Sequence, residues 1–316
     1  MIRIKERMKE CRVVEISEDA RFIGVERGFL VVKSGGMEIG RIELDSIAAV
    51  ICTANYATVG TSAISKLAEY RVPLVICDRK TKVPTSAAIP LAAHWRQGDV
   101  MEAQAGCSLP KKKSAWRSVV RAKLSQQAQV LKYFGRGAES ELLSNLADKV
   151  KSGDPENLEG RGASAYWRAL MGENFRRDRE AGDENILFNY GYAILRACAI
   201  RSVCAAGLHP SLGMHHCSAG NAHRLADDIM EPFRCFVDIR AREICDGGDI
   251  WLTKDNKKKL CGVLSERYFR KDKITSVSQM LADAATELAK YYLEECESFQ
   301  VDIVRSRHLK GIGNET

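Results

Sequence analysis

The hydrophobic period of this 316-residue chain changes once, near residue 100, and nothing else in the sequence limits the fold as much. Before that point the apolar residues fall in short β-branched runs. Residues 12–16, 29–33 and 37–42 read as strands separated by Gly-rich turns such as Ser34-Gly35-Gly36, and 47–52 and 72–77 add two more. One short helix fits at 62–70. After residue 100 the spacing is helical almost to the end. The pattern predicts an α+β chain with a small β-rich domain over 1–95, a linker over 96–110, a larger all-α domain over 111–300 and a loose polar tail over 301–316.

In the second part, Trp116, Val119, Val120, Leu124, Gln127 and Leu131 form the stripe of a helix that stops at Gly135 and Gly137. Asp154-Pro155 reads as the N-cap and first position of another, with Ala163, Tyr166, Trp167 and Leu170 as its core face. Glu159 lies four residues before Ala163, on that inward stripe. It is either an early-turn acid favoured by the helix dipole or a ligand, because an unpaired inward charge is costly. Residues 190–206 are apolar nearly all round, with Gly207 as C-cap.

A loop then carries Gly213-Met214-His215-His216, and a helix with Ala222, Leu225, Ala226, Ile229, Met230 and Phe233 on its core face follows. That phase puts Asp227, Asp228 and Glu231 on the non-core face, one turn apart, where they repel one another unless a cation sits among them. Read alone, such a helix is a solvated acidic face. The histidines just upstream favour a divalent-metal site instead, with Glu159, one of His215 and His216, and Glu231 drawn from three elements.

The net charge of +7 is concentrated. Between 101 and 136, Lys111, Lys112, Lys113, Arg117, Arg121, Lys123, Lys132 and Arg136 face the single acid Glu102. A second basic stretch holds Lys254, Lys257, Lys258, Lys259, Arg267, Arg270, Lys271 and Lys273, with Tyr268 and Phe269 among them. A polyanionic partner and a solvated surface explain these runs equally well. Eleven cysteines without a C-x-x-C read as buried reduced thiols. No phosphate loop, dinucleotide fingerprint, signal-like apolar region or membrane-length run appears, so a cytoplasmic protein off the membrane and without nucleotide fuel is expected.

Five stretches resemble one family. They are Asn157-Leu158-Glu159-Gly160 with Tyr166; Asn185 with Asn189-Tyr190-Gly191-Tyr192-Ala193; Leu195-Arg196; Gly213-Met214-His215-His216; and Asp228-Ile229-Met230-Glu231-Pro232-Phe233-Arg234. In order and spacing the chain is similar to the CRISPR-associated spacer-acquisition integrases (Cas-one), most like members from type II systems. The resemblance implies an N-terminal β-sandwich used for dimerisation and an α-helical catalytic domain. It implies Glu159, His216 and Glu231 as ligands of Mg²⁺ or Mn²⁺, Glu231 standing where many relatives have Asp, and Asp228 in support of His216. The roles of His215 and Asp227 stay open.

The activity so implied joins the 3′-hydroxyl of a short DNA fragment, the prespacer, to a phosphodiester of a CRISPR repeat. The implied partners are DNA, a second copy in a homodimer, the second Cas adaptation protein and the effector nuclease. DNA backbone would be held by Lys111, Lys112, Lys113, Arg117, Arg121, Lys257, Lys258 and Arg270 and by the other bases between 111 and 136. Two other readings remain at this point. One is a structure-selective endonuclease using the same metal with water as nucleophile. The other is a non-catalytic DNA-binding subunit, which would not need the three ligands together.

Overall fold

The computed structural model describes residues 12–77, 84–88, 94–178 and 181–311, with the backbone alone at 48 and 84–88. The charged opening from Met1 to Arg7, Cys11 and the end of the expected tail, 312–316, lie outside the described residues. The chain divides into two compact units, Met1–Leu91 and Ala92–Thr316.

The first unit holds two four-stranded sheets. Strands β1 (Arg12–Ile16), β2 (Arg21–Glu26), β3 (Phe29–Ser34), β4 (Met37–Glu43), β5 (Ile47–Cys52) and β6 (Ala57–Val59) are followed by helix α1 (Thr61–Glu69), then β7 (Leu74–Cys77) and β8 (Pro84–Ala88). One sheet has the order β1-β5-β7-β8 and the other β4-β3-β2-β6. Two-residue turns connect β2 to β3 and β3 to β4. Their central residues all have positive φ: Arg27 (50°), Gly28 (84°), Gly35 (56°) and Gly36 (83°). That conformation matches the right-handed twist of the strands it joins. Ile16, Ile47, Val50 and Leu74 from one sheet share a core with Ile23 and Leu30 from the other and with Leu67 of α1. The strands expected from sequence are present. β2, β6 and β8 are additional, and three-residue β6 is too short to show an alternation.

The second unit is mostly helical. Its elements are α2 (Gln97–Ala105), α3 (Leu109–Tyr133), α4 (Gly137–Lys149), α5 (Leu158–Met171), α6 (Asn185–Ala205), α7 (Arg224–Met230), α8 (Arg234–Asp246), α9 (Lys254–Gly262), the hairpin β9 (Arg267–Arg270) and β10 (Lys273–Ser276), and α10 (Val277–Tyr292). The hairpin sits in a stretch expected to be purely α-helical or loop. Residues 96–110, expected as a linker, contain α2, whose buried Gln104 bonds the backbone of His209 and Leu212. The tail is also anchored: Val304 and Leu309 are buried, and Gln126 of α3 bonds both the N–H and the carbonyl of Val304.

Two local features place the site. Gly162 lets α5 approach α3 closely, since a Cβ there would stand 2.2 Å from Leu124 Cδ2. Pro232 lacks an N–H, so the single helix expected over 222–233 breaks into α7, a 3₁₀ turn at Glu231–Phe233 and α8. Among the described residues no helix is long and apolar enough to cross a membrane.

Candidate active site

Helix α5 begins later than the sequence suggests. Its N-cap is Asn157, in left-handed backbone (φ 49°), whose side chain accepts from the Gly160 N–H. Asp154 is not the cap. Its carboxylate instead takes the backbone N–H groups of Leu158 and Glu159, both at 2.9 Å. With those donors already satisfied, the Glu159 side chain is free to turn toward α3.

There it meets a lysine. Lys123, on the buried stripe of α3 and only 8% exposed, donates to Glu159 Oε1 and lies 2.7 Å from Glu231 Oε2. Arg234, one turn beyond, reaches Glu231 Oε1 at 3.0 Å and lies over the Tyr192 ring. Burial by itself would push the Glu231 carboxyl up, but Arg234 and Lys123 outweigh it and hold the group at about 2. Burial likewise opposes charge on Lys123, and Glu231 and Glu159 overcome it, raising its pKa. Both groups therefore stay ionised at neutral pH. Glu231 Oε2 has the Lys123 ammonium as its charged partner at 2.7 Å but no well-aligned hydrogen bond, so it keeps acceptor capacity beyond that ion pair.

The histidine loop is built on Asp228. This fully buried carboxylate accepts the backbone N–H groups of Met214 (2.6 Å), His215 (3.1 Å) and His216 (3.1 Å), and His216 Nδ1 at 2.5 Å. The Asp228 hydrogen bond raises the pKa of His216 against the opposing effect of burial. Because Asp228 engages Nδ1, Nε2 is the nitrogen left for a ligand role. Gly213 is required at the start of the loop, where a Cβ would stand 2.6 Å from the His216 carbonyl oxygen. Trp116 of α3 closes the loop from the other side, stacked on His215 and edge-on to His216.

The acidic residues are therefore not on a solvated face. Asp227, Asp228 and Glu231 are 3%, 0% and 6% exposed. Asp227 forms a bidentate pair with Arg196 (2.6 and 2.8 Å) and accepts from Asn221 Nδ2 at 2.6 Å. Its charge is committed to holding α7 against α6, which gives it a structural role. Sequence periodicity missed this because the compensating groups come from α3, α6 and the loop before α7.

Two carboxylates and an imidazole are a donor set that suits a hard divalent cation, and the spare acceptor capacity of Glu231 Oε2 fits one too. Among the described residues, however, no three His, Cys, Asp or Glu side chains stand together as a ready metal cage. A cation is already between Glu159 and Glu231, and it is the Lys123 ammonium. Lys123 is thus misread when grouped with the DNA-facing bases. Of those bases, Lys113, Arg121 and Lys258 are exposed, while Lys111 pairs with Glu294, Arg121 with Asp148 and Arg270 with Asp283.

Other residues of the five stretches hold the frame. Tyr166 and Tyr192 donate to Asp238 at 3.0 and 2.5 Å, and Asn185 Oδ1 accepts from Arg177. Asn189 Oδ1 accepts from the same Arg177 at 2.7 Å. Arg234 and Asp238 have no assigned role from sequence, which marks Trp116 only as a core residue and Lys123 only as a DNA-facing base. The one available signal was a lysine at i+7 from Trp116 on a core stripe.

Comparison with known proteins matches residues 14–279 to the family described as CRISPR associated protein Cas1. A CRISPR-associated endonuclease Cas1 of Neisseria meningitidis serogroup C (strain 8013) is 33% identical over 226 residues, covering 72% of this chain and 73% of the relative. A casposase bound to integration product superposes with a TM-score of 0.76 at 18% identity, covering 92% of this chain and 93% of that one. A chain of a Cas6-RT-Cas1–Cas2 complex gives 0.72 at 22% identity, over 92% of this chain and 36% of that one.

Proposed function

The chain belongs to the Cas1 family, and on that premise we propose that it inserts short DNA fragments into a CRISPR array by metal-dependent transesterification. The observation that carries this reading is the convergence of Glu159 and Glu231 on one cation beside His216, in a chain with concentrated positive charge.

In the proposed step a fragment's 3′-hydroxyl oxygen bonds to phosphorus in the repeat backbone, and the repeat strand's own 3′-oxygen leaves. One phosphodiester replaces another, and the hydroxyl proton ends on the released 3′-oxygen, so no nucleotide fuel is consumed. Glu159, His216 and Glu231 would hold Mg²⁺ or Mn²⁺, which when bound supplies Lewis-acid stabilisation of the phosphoryl transition state. Asp228 fixes the His216 ring so that Nε2 faces outward. Arg234 keeps Glu231 ionised. Exposed Lys113, Arg121 and Lys258 would lie along the DNA backbone, with Lys112 beside them. A homodimer working with a Cas2 partner is the proposed assembly, a reading supported by the Cas2-containing complex among the fold's neighbours.

The test combines the protein and its Cas2 partner with a supercoiled repeat-bearing plasmid, a labelled 3′-hydroxyl fragment and Mn²⁺. Label should become covalently joined to the plasmid with wild type and not with His216→Ala. Transfer that survives His216→Ala would refute the site assignment.

A further inference from the structure

Among the described residues, Lys123 is the one cation that touches both Glu159 and Glu231. Any divalent ion held by those two carboxylates needs the space its ammonium now fills. Arg234 approaches Glu231 from the opposite oxygen and does not compete for that space. Trp116, on the same helix, is buried and packed against the histidine loop, so vacating that space falls to the lysine side chain rather than to a shift of α3. The lysine stem has four rotatable bonds, and the site is open on one side, where the His216 and Glu159 side chains are 37% and 27% exposed.

We propose that Lys123 is a tethered counter-ion. It holds the two carboxylates together in the metal-free protein, and it withdraws when the divalent ion binds. This rests on the metal reading above and assigns Lys123 a positioning role. Two consequences follow from mass action. The protein whose lysine is in place cannot accept the ion, so apparent metal affinity is reduced by the fraction of molecules with the lysine withdrawn. Removing the ammonium also leaves Glu159 without its cation and Glu231 with Arg234 alone, so the metal-free protein should lose stability that the ion restores.

The experiment compares full-length wild type and Lys123→Met by Mn²⁺ titration, followed as free Mn²⁺ by electron paramagnetic resonance, and by thermal unfolding with and without Mn²⁺. Lys123→Met should bind Mn²⁺ about tenfold or more tightly than wild type, melt lower without metal and gain more from it. Lys123→Arg, which keeps the charge, should bind no more tightly than wild type. A second measurement on wild type alone covers a Met variant that fails to fold: acylation of Lys123 by an amine-reactive ester, read by mass spectrometry, should accelerate when Mn²⁺ is added. Wild type that binds Mn²⁺ with unchanged Lys123 labelling, or a Met variant of equal or weaker affinity, would overturn the counter-ion role and leave the metal site standing. Absence of Mn²⁺ binding in every variant would overturn the metal site, and the counter-ion role with it.

Discussion

Trp116 and His215 stack with ring centroids 4.3 Å apart and planes within 2° of parallel. The neighbouring His216 meets the same indole edge-on. One buried aromatic of α3 therefore sets the position of the loop that presents the imidazole. Trp116→Ala should cost roughly 3–5 kcal/mol of stability. Trp116→Phe should retain the fold, with a small drop in melting temperature, but slow strand transfer several-fold because the smaller ring no longer fixes His215. Calorimetry and the transfer assay separate the two effects, and unchanged transfer in the Phe variant would remove the indole from the account.

Asp228 gathers three backbone N–H groups and the His216 ring into one carboxylate. Asp228→Ala should strand those donors and cost about 3 kcal/mol or more. Asp228→Asn keeps the shape but weakens the hydrogen bond and removes the charge that together raise the His216 pKa. NMR titration of the His216 imidazole should therefore show a lower midpoint in the Asn variant. A midpoint equal to that of wild type would mean that the ring is oriented by something else.

Asp227 is expected to behave differently although it adjoins Asp228. Asp227→Asn should break the Arg196 pair and destabilise by roughly 3 kcal/mol. Below the variant's melting temperature, transfer should stay near wild type, since Asp227 is bound to α6 and not to the histidine loop. Loss of transfer in a fully folded Asp227→Asn protein would give this residue a part in the chemistry.

Burial lifts the Asp238 carboxyl to about 7, against the hydrogen bonds donated by Tyr192 and Tyr166. The folded value exceeds the unfolded one. The protonated form thus contributes stability that is fully present below about pH 4 and is lost as pH rises through about 7, up to about 4 kcal/mol. Wild type should lose stability relative to Asp238→Asn between pH 4 and 8 in urea unfolding. Parallel profiles for the two proteins would contradict this origin.

The residues of the site were legible from sequence further than their setting was. Gly213, Asp228 and Glu231 fall in short motifs, and Glu159 stands on a helix start, so local spacing draws attention to them, while the choice of His216 over His215 rests on the family resemblance. The burial of Asp227 and Asp228 was not legible, because helical phase puts them outward while their partners Arg196, Asn221 and the 214–216 backbone are distant or irregular. Lys123 was hidden for a related reason. A lysine in a basic stretch reads as surface, and only the approach of α5 through Gly162 brings its carboxylate partner within reach. In the β-rich unit the hairpin turns were readable at Gly35-Gly36, whereas three-residue β6 carries too few side chains for a period.

The central claim is that this site uses a DNA 3′-hydroxyl as its nucleophile. The most direct measurement compares two otherwise identical 5′-labelled fragments, one ending in a 3′-hydroxyl and one in a 3′-deoxy sugar, on a repeat-bearing plasmid with Mn²⁺ and the Cas2 partner. The account predicts that the hydroxyl fragment is joined to the repeat and that the 3′-deoxy fragment neither joins nor causes strand breakage there. Equal breakage of the repeat with both fragments, and no label joined, would show that water is the nucleophile and contradict it.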